Sequence, residues 1–281
     1  MNYIPKETKD RLEKKLSVRF TGNPKHLDEA AAGIVYACFK YEININKLLD
    51  EVESGAAFRF EEFWESTEGN LLTYLKNDYR LIAQDIINIT AGGTGGMASI
   101  GKGEFFIEFF SNFKIKNITS NGDLSYKGKN EEVKYNGGKI AVSHIDGSEV
   151  YSTFTELIEN SEIQIIKEDF VPTRKADIDE YSTEDYNKLL GYYWQAISGS
   201  SQSITSRNEF FLLCLEKALD HEFQTIDSLL VISEKNNFVR FNNKTEAYNY
   251  YSEKPKLLRK WEIRTKQKNL VAMYAMLEEE E

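Results

Sequence analysis

Three residues in one short stretch have the types and spacing for phosphodiester chemistry. Between Gly122 and Ile140 the chain reads GDLSYKGKNEEVKYNGGKI: Asp123, eight intervening residues, then Glu132 and Lys134 flanking a lone apolar Val133. A turn at Lys127-Gly128 pairs the two arms antiparallel and sets Asp123 roughly opposite Glu132. Side chains alternate across a strand, so Glu132 and Lys134 share one face and Val133 points the other way, into a core. Two carboxylates and an ammonium then converge. A hard cation such as Mg²⁺ accepts carboxylate and carbonyl oxygens and keeps several waters, so a pair of acids a few ångströms apart makes a site open to a phosphate. Bound metal lowers the pKa of its water and stabilises charge on phosphoryl oxygens, and a neighbouring lysine can orient the water or stabilise the transition state.

The D-x8-E-V-K pattern resembles the PD-(D/E)XK nuclease superfamily, which includes many restriction, repair and phage nucleases. The resemblance implies an α+β (α/β) chain with a restriction-endonuclease-like core, a small mixed central sheet flanked by helices. It also implies an additional acid on the helix before the first core strand. Ile100-Gly101-Lys102-Gly103-Glu104 opens such a helix, with Glu104 and Glu108 one turn apart. Gly122 stands where the family carries its proline. Carried onto this chain, the resemblance gives Asp123, Glu132, Lys134 and Glu104 as catalytic residues. Asp123, Glu132, Glu104 and Val133 form the metal shell, Mg²⁺ is the cofactor with Mn²⁺ able to substitute, and DNA is the substrate.

Other elements must position these residues. Helical spacing is expected over 6–19, from Pro24 to Tyr41, and over 43–54, 58–66 and 70–90, giving a helical N-terminal region over 1–90. Ala91–Gly96 breaks it with four glycines in six residues. The following Gly96 to Lys102 approaches a phosphate-binding loop, but Gly103 replaces the needed Ser or Thr. The next helix, about Ser99 to Phe113, turns Phe105, Phe106, Phe109 and Phe110 away from solvent. Strands are expected at Lys114–Thr119, Asp123–Tyr126 and Glu131–Tyr135, with Lys139–Ser143 extending the same sheet after a two-glycine turn. The nuclease core thus takes 91–145 and 206–241, closing with the helix Asn208–Phe223, the apolar strand Asp227–Ser233 and Phe238–Phe241. An insertion fills 146–205. A basic extension, 242–281, adds a helix, a strand at 257–266 and an apolar piece at 269–277 to one edge.

The formal net charge of −10 weighs against a nucleic-acid partner, because phosphate neutralisation by Lys and Arg carries most non-specific affinity. Locally the balance reverses. Residues 254–268 hold seven cations against Glu262 alone. The expected DNA contacts are Lys102, Lys139, Lys256, Arg259, Lys260 and Arg264. Cys38 and Cys214 sit in apolar helical patterns and are expected as reduced core residues. His26, His144 and His221 lack zinc-ligand spacing. No apolar run approaches a membrane span, so no membrane partner and a cytoplasmic location are expected. Abundant Tyr, Asn and Lys give the look of a bacteriophage protein, placing it in the host cytoplasm or on the virion. A homodimer cutting both strands and a monomer nicking one both fit the chain.

Two other readings compete with a Mg²⁺-dependent endonuclease. One is a catalytically inactive nuclease-fold protein, a phage structural or interaction component that keeps the fold for binding. The other is an unrelated α+β protein whose hairpin is surface decoration with an exposed salt bridge.

Overall fold

The computed structural model describes residues 5–17, 20, 24–90, 101–112, 122–135, 139–142, 147–163, 181–263, 271–275 and 277. The chain is α+β and divides into two compact units. The first comprises Met1–Tyr135 with Leu230–Arg240, and the second Asn136–Leu229 with Phe241–Glu281. The expected segments therefore group differently: the N-terminal helices share a core with the Asp123 hairpin, and the chain crosses between units directly after Tyr135.

The first unit begins with α1 (Lys6–Leu16), α2 (Pro24–Lys40), α3 (Ile45–Glu53) and α4 (Phe60–Glu65). The helix expected over 70–90 is only half present. Its first part is the edge strand β1 (Glu68–Asn70) and two 3₁₀ turns, and α5 runs Arg80–Thr90. The reason is local. The Asn70 side chain accepts the Leu72 amide at 3.0 Å, starting a turn, while β1 pairs antiparallel with Asn237–Phe241.

Next comes α6 (Lys102–Ser111), stopped by Asn112 in the left-handed conformation. The segment Ala91–Ile100, with the glycine run, and the strand expected at Lys114–Thr119 lie outside the described residues. Strands β2 (Leu124–Tyr126) and β3 (Lys129–Tyr135) form the expected hairpin, with Lys127 and Gly128 both at positive φ in its two-residue turn.

Later in the chain, β5 (Ser228–Ile232) is buried at every position, and β6 (Asn237–Phe241) follows it. The mixed five-stranded sheet has the order β1-β6-β5-β3-β2, with helices flanking it. Phe105, Phe106, Phe109 and Phe110 are all buried, as the helical spacing required, and Leu124, Val133, Leu230 and Ile232 join the same core.

The second unit corrects one expectation. Strand β4 (Lys139–Val142) does not extend the hairpin sheet, and the C-terminal strands do not extend its edge. β4 pairs antiparallel with β8 (Val271–Ala275), which pairs with β7 (Leu258–Ile263), in a separate three-stranded sheet of order β4-β8-β7. Register decides this: Ile140 opposes Met273 and Val142 opposes Val271, so apolar partners lie opposite one another. The helices among the described residues of this unit are α7 (Gly147–Glu159), α8 (Thr183–Ser198), α9 (Arg207–Glu222) and α10 (Lys244–Glu253). Tyr186, Tyr193 and Trp194 are core residues, with the Tyr193 ring 4.4 Å from that of Phe154. Cys38 and Cys214 are free and buried. Among the described residues no helix is long and apolar enough to cross a membrane.

Candidate active site

The β2–β3 hairpin sets the first three residues. Leu124 opposes Glu131 and Tyr126 opposes Lys129, which carries Asp123 to the position beside Glu132. Two bonds hang Asp123 from β3: its amide donates to the Glu131 carbonyl at 2.8 Å, and its Oδ2 accepts the Val133 amide at 2.9 Å. Gly122 makes that approach possible. Its φ is +79°, and a Cβ there would stand 2.8 Å from the Glu131 carbonyl oxygen. Glycine at 122 is thus a requirement of this chain's own hairpin.

Glu132 and Lys134 lie on one strand face, joined by a hydrogen bond from Lys134 Nζ to Glu132 Oε1, and both are mostly buried. Val133 points the opposite way and is 3% exposed, so only its main chain is available to a cation.

Helix α6 brings the fourth residue. Its first turn docks on the sheet through Gly103, where a Cβ would lie 3.0 Å from both Ile232 Cδ1 and Val133 Cγ1. Glu104 then folds its carboxylate back over the helix N-terminus. It accepts its own backbone amide, and a Cβ on Gly101 would be 2.2 Å from Glu104 Oε2. A side chain at 101 would displace the carboxylate. Glu108, one turn on, belongs elsewhere: it faces Lys15, and burial pushes its carboxyl up to about 7.

The four groups feel one another. Burial, then the charge of Asp123, pushes Glu104 up to about 8, opposed by its own backbone amide and by Lys134. Burial, then the charge of Glu132, pushes Asp123 up to about 6, opposed by the Val133 amide, Lys134 and a hydrogen bond with Glu104. Burial and mutual repulsion thus oppose full ionisation of the Glu104–Asp123 pair, which titrates as a unit.

The metal-free fold should register this in its stability. The unfolded chain releases the Glu104 proton near 4.5, and the folded chain keeps it to about 8. This contribution is fully present below 4.5 and is lost as pH rises toward 8, and Asp123 acts with the same sign between 3.8 and about 6. Urea unfolding in EDTA is expected to show stability falling by on the order of 4 kcal/mol from pH 5 to pH 8. Glu104→Gln should flatten most of the fall above pH 6, and an unchanged profile in that variant would exclude Glu104 as its source.

All three carboxylates offer only oxygen donors, which suits Mg²⁺ or Mn²⁺, and a cation would relieve the repulsion that raises two of them. Among the described residues, however, no three His, Cys, Asp or Glu side chains are already set as a coordination group. Glu132 is engaged by Lys134 instead.

The expected DNA contacts are distributed otherwise. Lys102 is half-buried beside the site, its Nζ 5.8 Å from the Tyr135 ring centroid. Lys256 is exposed in a 3₁₀ turn of the second unit. Lys139, Arg259 and Lys260 fall on strands of that unit's small sheet, with side chains outside the described residues, and Arg264 lies outside them altogether.

Sequence reasoning missed one residue pair against the hairpin. Glu131 is completely buried, and its carboxylate is held by Arg240, itself 5% exposed, with Nε–Oε2 at 2.5 Å and Nη2–Oε1 at 3.2 Å. The signal was present: in K-N-E-E-V-K-Y, strict alternation from Val133 puts Glu131 on the core face, where a carboxylate needs a cation. Compared with protein-family models, curated proteins and solved structures, the chain matches none.

Proposed function

We propose that this chain is a metal-dependent DNA endonuclease that hydrolyses phosphodiester bonds in the manner of the PD-(D/E)XK enzymes. The observation that carries the reading is the convergence of Glu104, from the first turn of α6, with Asp123, Glu132 and Lys134 of the hairpin. Asp123, Glu132 and Glu104 would hold the cation. Bound Mg²⁺ would supply an activated water and stabilise negative charge on the phosphoryl oxygens. The protein's own contribution is electrostatic and positional. Lys134 provides the cation nearest the carboxylates and suits orientation of a water or stabilisation of a phosphoryl oxygen. The Val133 amide fixes the Asp123 carboxylate, and Gly101 leaves room for that of Glu104.

A second reading has its own support. Lys134 is bonded to Glu132, no coordination group is preset among the described residues, and the net charge is −10. Those features suit a nuclease-fold protein, structural or interacting, in which Lys134 serves as a permanent internal counter-ion.

The two readings separate on incubation with supercoiled plasmid in Mg²⁺ or Mn²⁺, beside an EDTA control and Lys134→Ala. The endonuclease reading expects metal-dependent nicking or linearisation that falls at least about 100-fold in the variant. Equal cleavage by the variant would remove Lys134 from the site. Intact plasmid under all conditions, with no Mn²⁺ uptake by calorimetry, would favour the non-catalytic reading.

A further inference from the structure

We propose that the buried Arg240–Glu131 pair sets the register of β3, making Arg240 a positioning residue for the carboxylates on the opposite strand face. The proposal rests on the metal-site reading above.

Glu131 occupies the core row of β3, beside Val133 and opposite Leu124. An apolar residue would fill that place at no electrostatic cost, whereas an ion pair must recover the desolvation of both charges. What the pair adds is direction. Arg240 stands on β6, which is separated from β3 by β5, so its side chain crosses a whole strand to reach Glu131. The guanidinium binds both carboxylate oxygens through Nε and Nη2. Its Nη1 donates to the carbonyls of Phe63 at 2.8 Å, Trp64 at 3.0 Å, and Ser66. Its plane lies over the rings of Phe63 and Trp64, 4.7 and 5.3 Å from their centroids. One planar group therefore ties β3 to β6 and to the end of α4, and a fork of this geometry accepts a carboxylate at one place only.

The hairpin needs such a fixture. β2 and β3 share only three residue pairs at the sheet edge, Leu124–Glu131 through Tyr126–Lys129. β3 is bonded to β5 on its other side, and a one-residue slip of β3 would turn Glu132 and Lys134 into the core and Glu131 out of it, so the fork adds to the register that the buried Leu124 and Val133 already favour. Glu131 is also the residue whose carbonyl accepts the Asp123 amide. Holding its side chain therefore holds the main-chain point from which Asp123 hangs, and the Val133 amide bonded to Asp123 Oδ2 lies two residues further on.

The test replaces the pair by apolar residues of similar size, Glu131→Leu with Arg240→Met, in the full chain. Three readouts are taken beside wild type: urea unfolding, Mn²⁺ binding by calorimetry, and hydrogen exchange of the Val133 amide without metal. The expected result is an unfolding midpoint close to wild type, Mn²⁺ affinity at least 10-fold weaker and Val133 exchange at least 10-fold faster. A folded double variant with wild-type exchange at Val133 and wild-type Mn²⁺ affinity would overturn the proposal. Should the double variant fail to fold, Arg240→Lys, which keeps the charge and loses the fork, is judged by the same criteria. Wild type that takes up no Mn²⁺ would refute the metal-site reading, and Val133 exchange then decides the register claim alone.

Discussion

Replacing Asp123 by Asn is expected to stabilise the metal-free protein while removing any divalent-cation affinity and lowering any cleavage by at least about 1000-fold, equivalent to about 4 kcal/mol. The two effects share one cause. Burial and the neighbouring Glu132 charge oppose ionisation of Asp123, which is held up at about 6, so at neutral pH the folded chain carries a charge its surroundings resist. The amide keeps an oxygen to accept the Val133 N–H at the observed 2.9 Å, so the hairpin loses no bond there. Relief of the charge should raise unfolding free energy by on the order of 1 kcal/mol at pH 7 in EDTA. Against that small gain stands loss of an anionic ligand that a hard cation requires. Urea unfolding and Mn²⁺ calorimetry on the same preparation measure both. A variant less stable than wild type would show that the Asp123 charge is already compensated in the metal-free state. A variant that binds Mn²⁺ with unchanged affinity would place the cation elsewhere.

This opposition of stability and charge explains why the clustering of Glu104, Asp123, Glu132 and Lys134 was legible in the sequence. The residues that carry it break the local rules for a hairpin. Asp123, Glu132 and Lys134 are charged groups on a face that is mostly buried, and Glu104 is an acid in the first turn of a helix whose Phe and Ile side chains are all in the core. Alternation, a two-residue turn at Lys127-Gly128 and helical spacing of four phenylalanines sufficed to bring them together.

What the sequence left open was long-range pairing. Nothing local to Lys139–Val142 tells it to pair with Val271–Ala275 over a hundred residues later instead of continuing past Tyr135, because a short apolar strand matches several partners equally well. The helix expected across 70–79 failed for a related reason. Its apolar spacing is compatible with a helix, and the edge of β6 together with the Asn70 cap offered those backbone groups better partners. The Glu131–Arg240 pair was half visible: the buried carboxylate follows from alternation, but its partner lies 109 positions away.

The same pair gives the largest expected effect on stability. Arg240→Ala should cost about 3–5 kcal/mol of unfolding free energy, a large part of the 5–15 kcal/mol typical of a domain. Glu131, with no exposed surface, would be left as a buried charge lacking its counter-ion, and the carbonyls of Phe63, Trp64 and Ser66 would lose a shared donor where α4 ends. The cost lies mostly in the stranded carboxylate, so it is not additive. Adding Glu131→Gln to Arg240→Ala should recover part of the loss, and Glu131→Leu with Arg240→Met should recover most of it. Urea unfolding of wild type, Arg240→Ala, Glu131→Gln and their double variant closes the cycle, with the apolar double variant measured beside it. A loss under about 1 kcal/mol in Arg240→Ala would mean that water reaches Glu131 when the arginine is gone. The fork would then contribute little to the core. The full loss with recovery in the apolar double variant would separate what the pair does for stability, which hydrophobic side chains can replace, from what its direction does for the strand bearing Glu132 and Lys134.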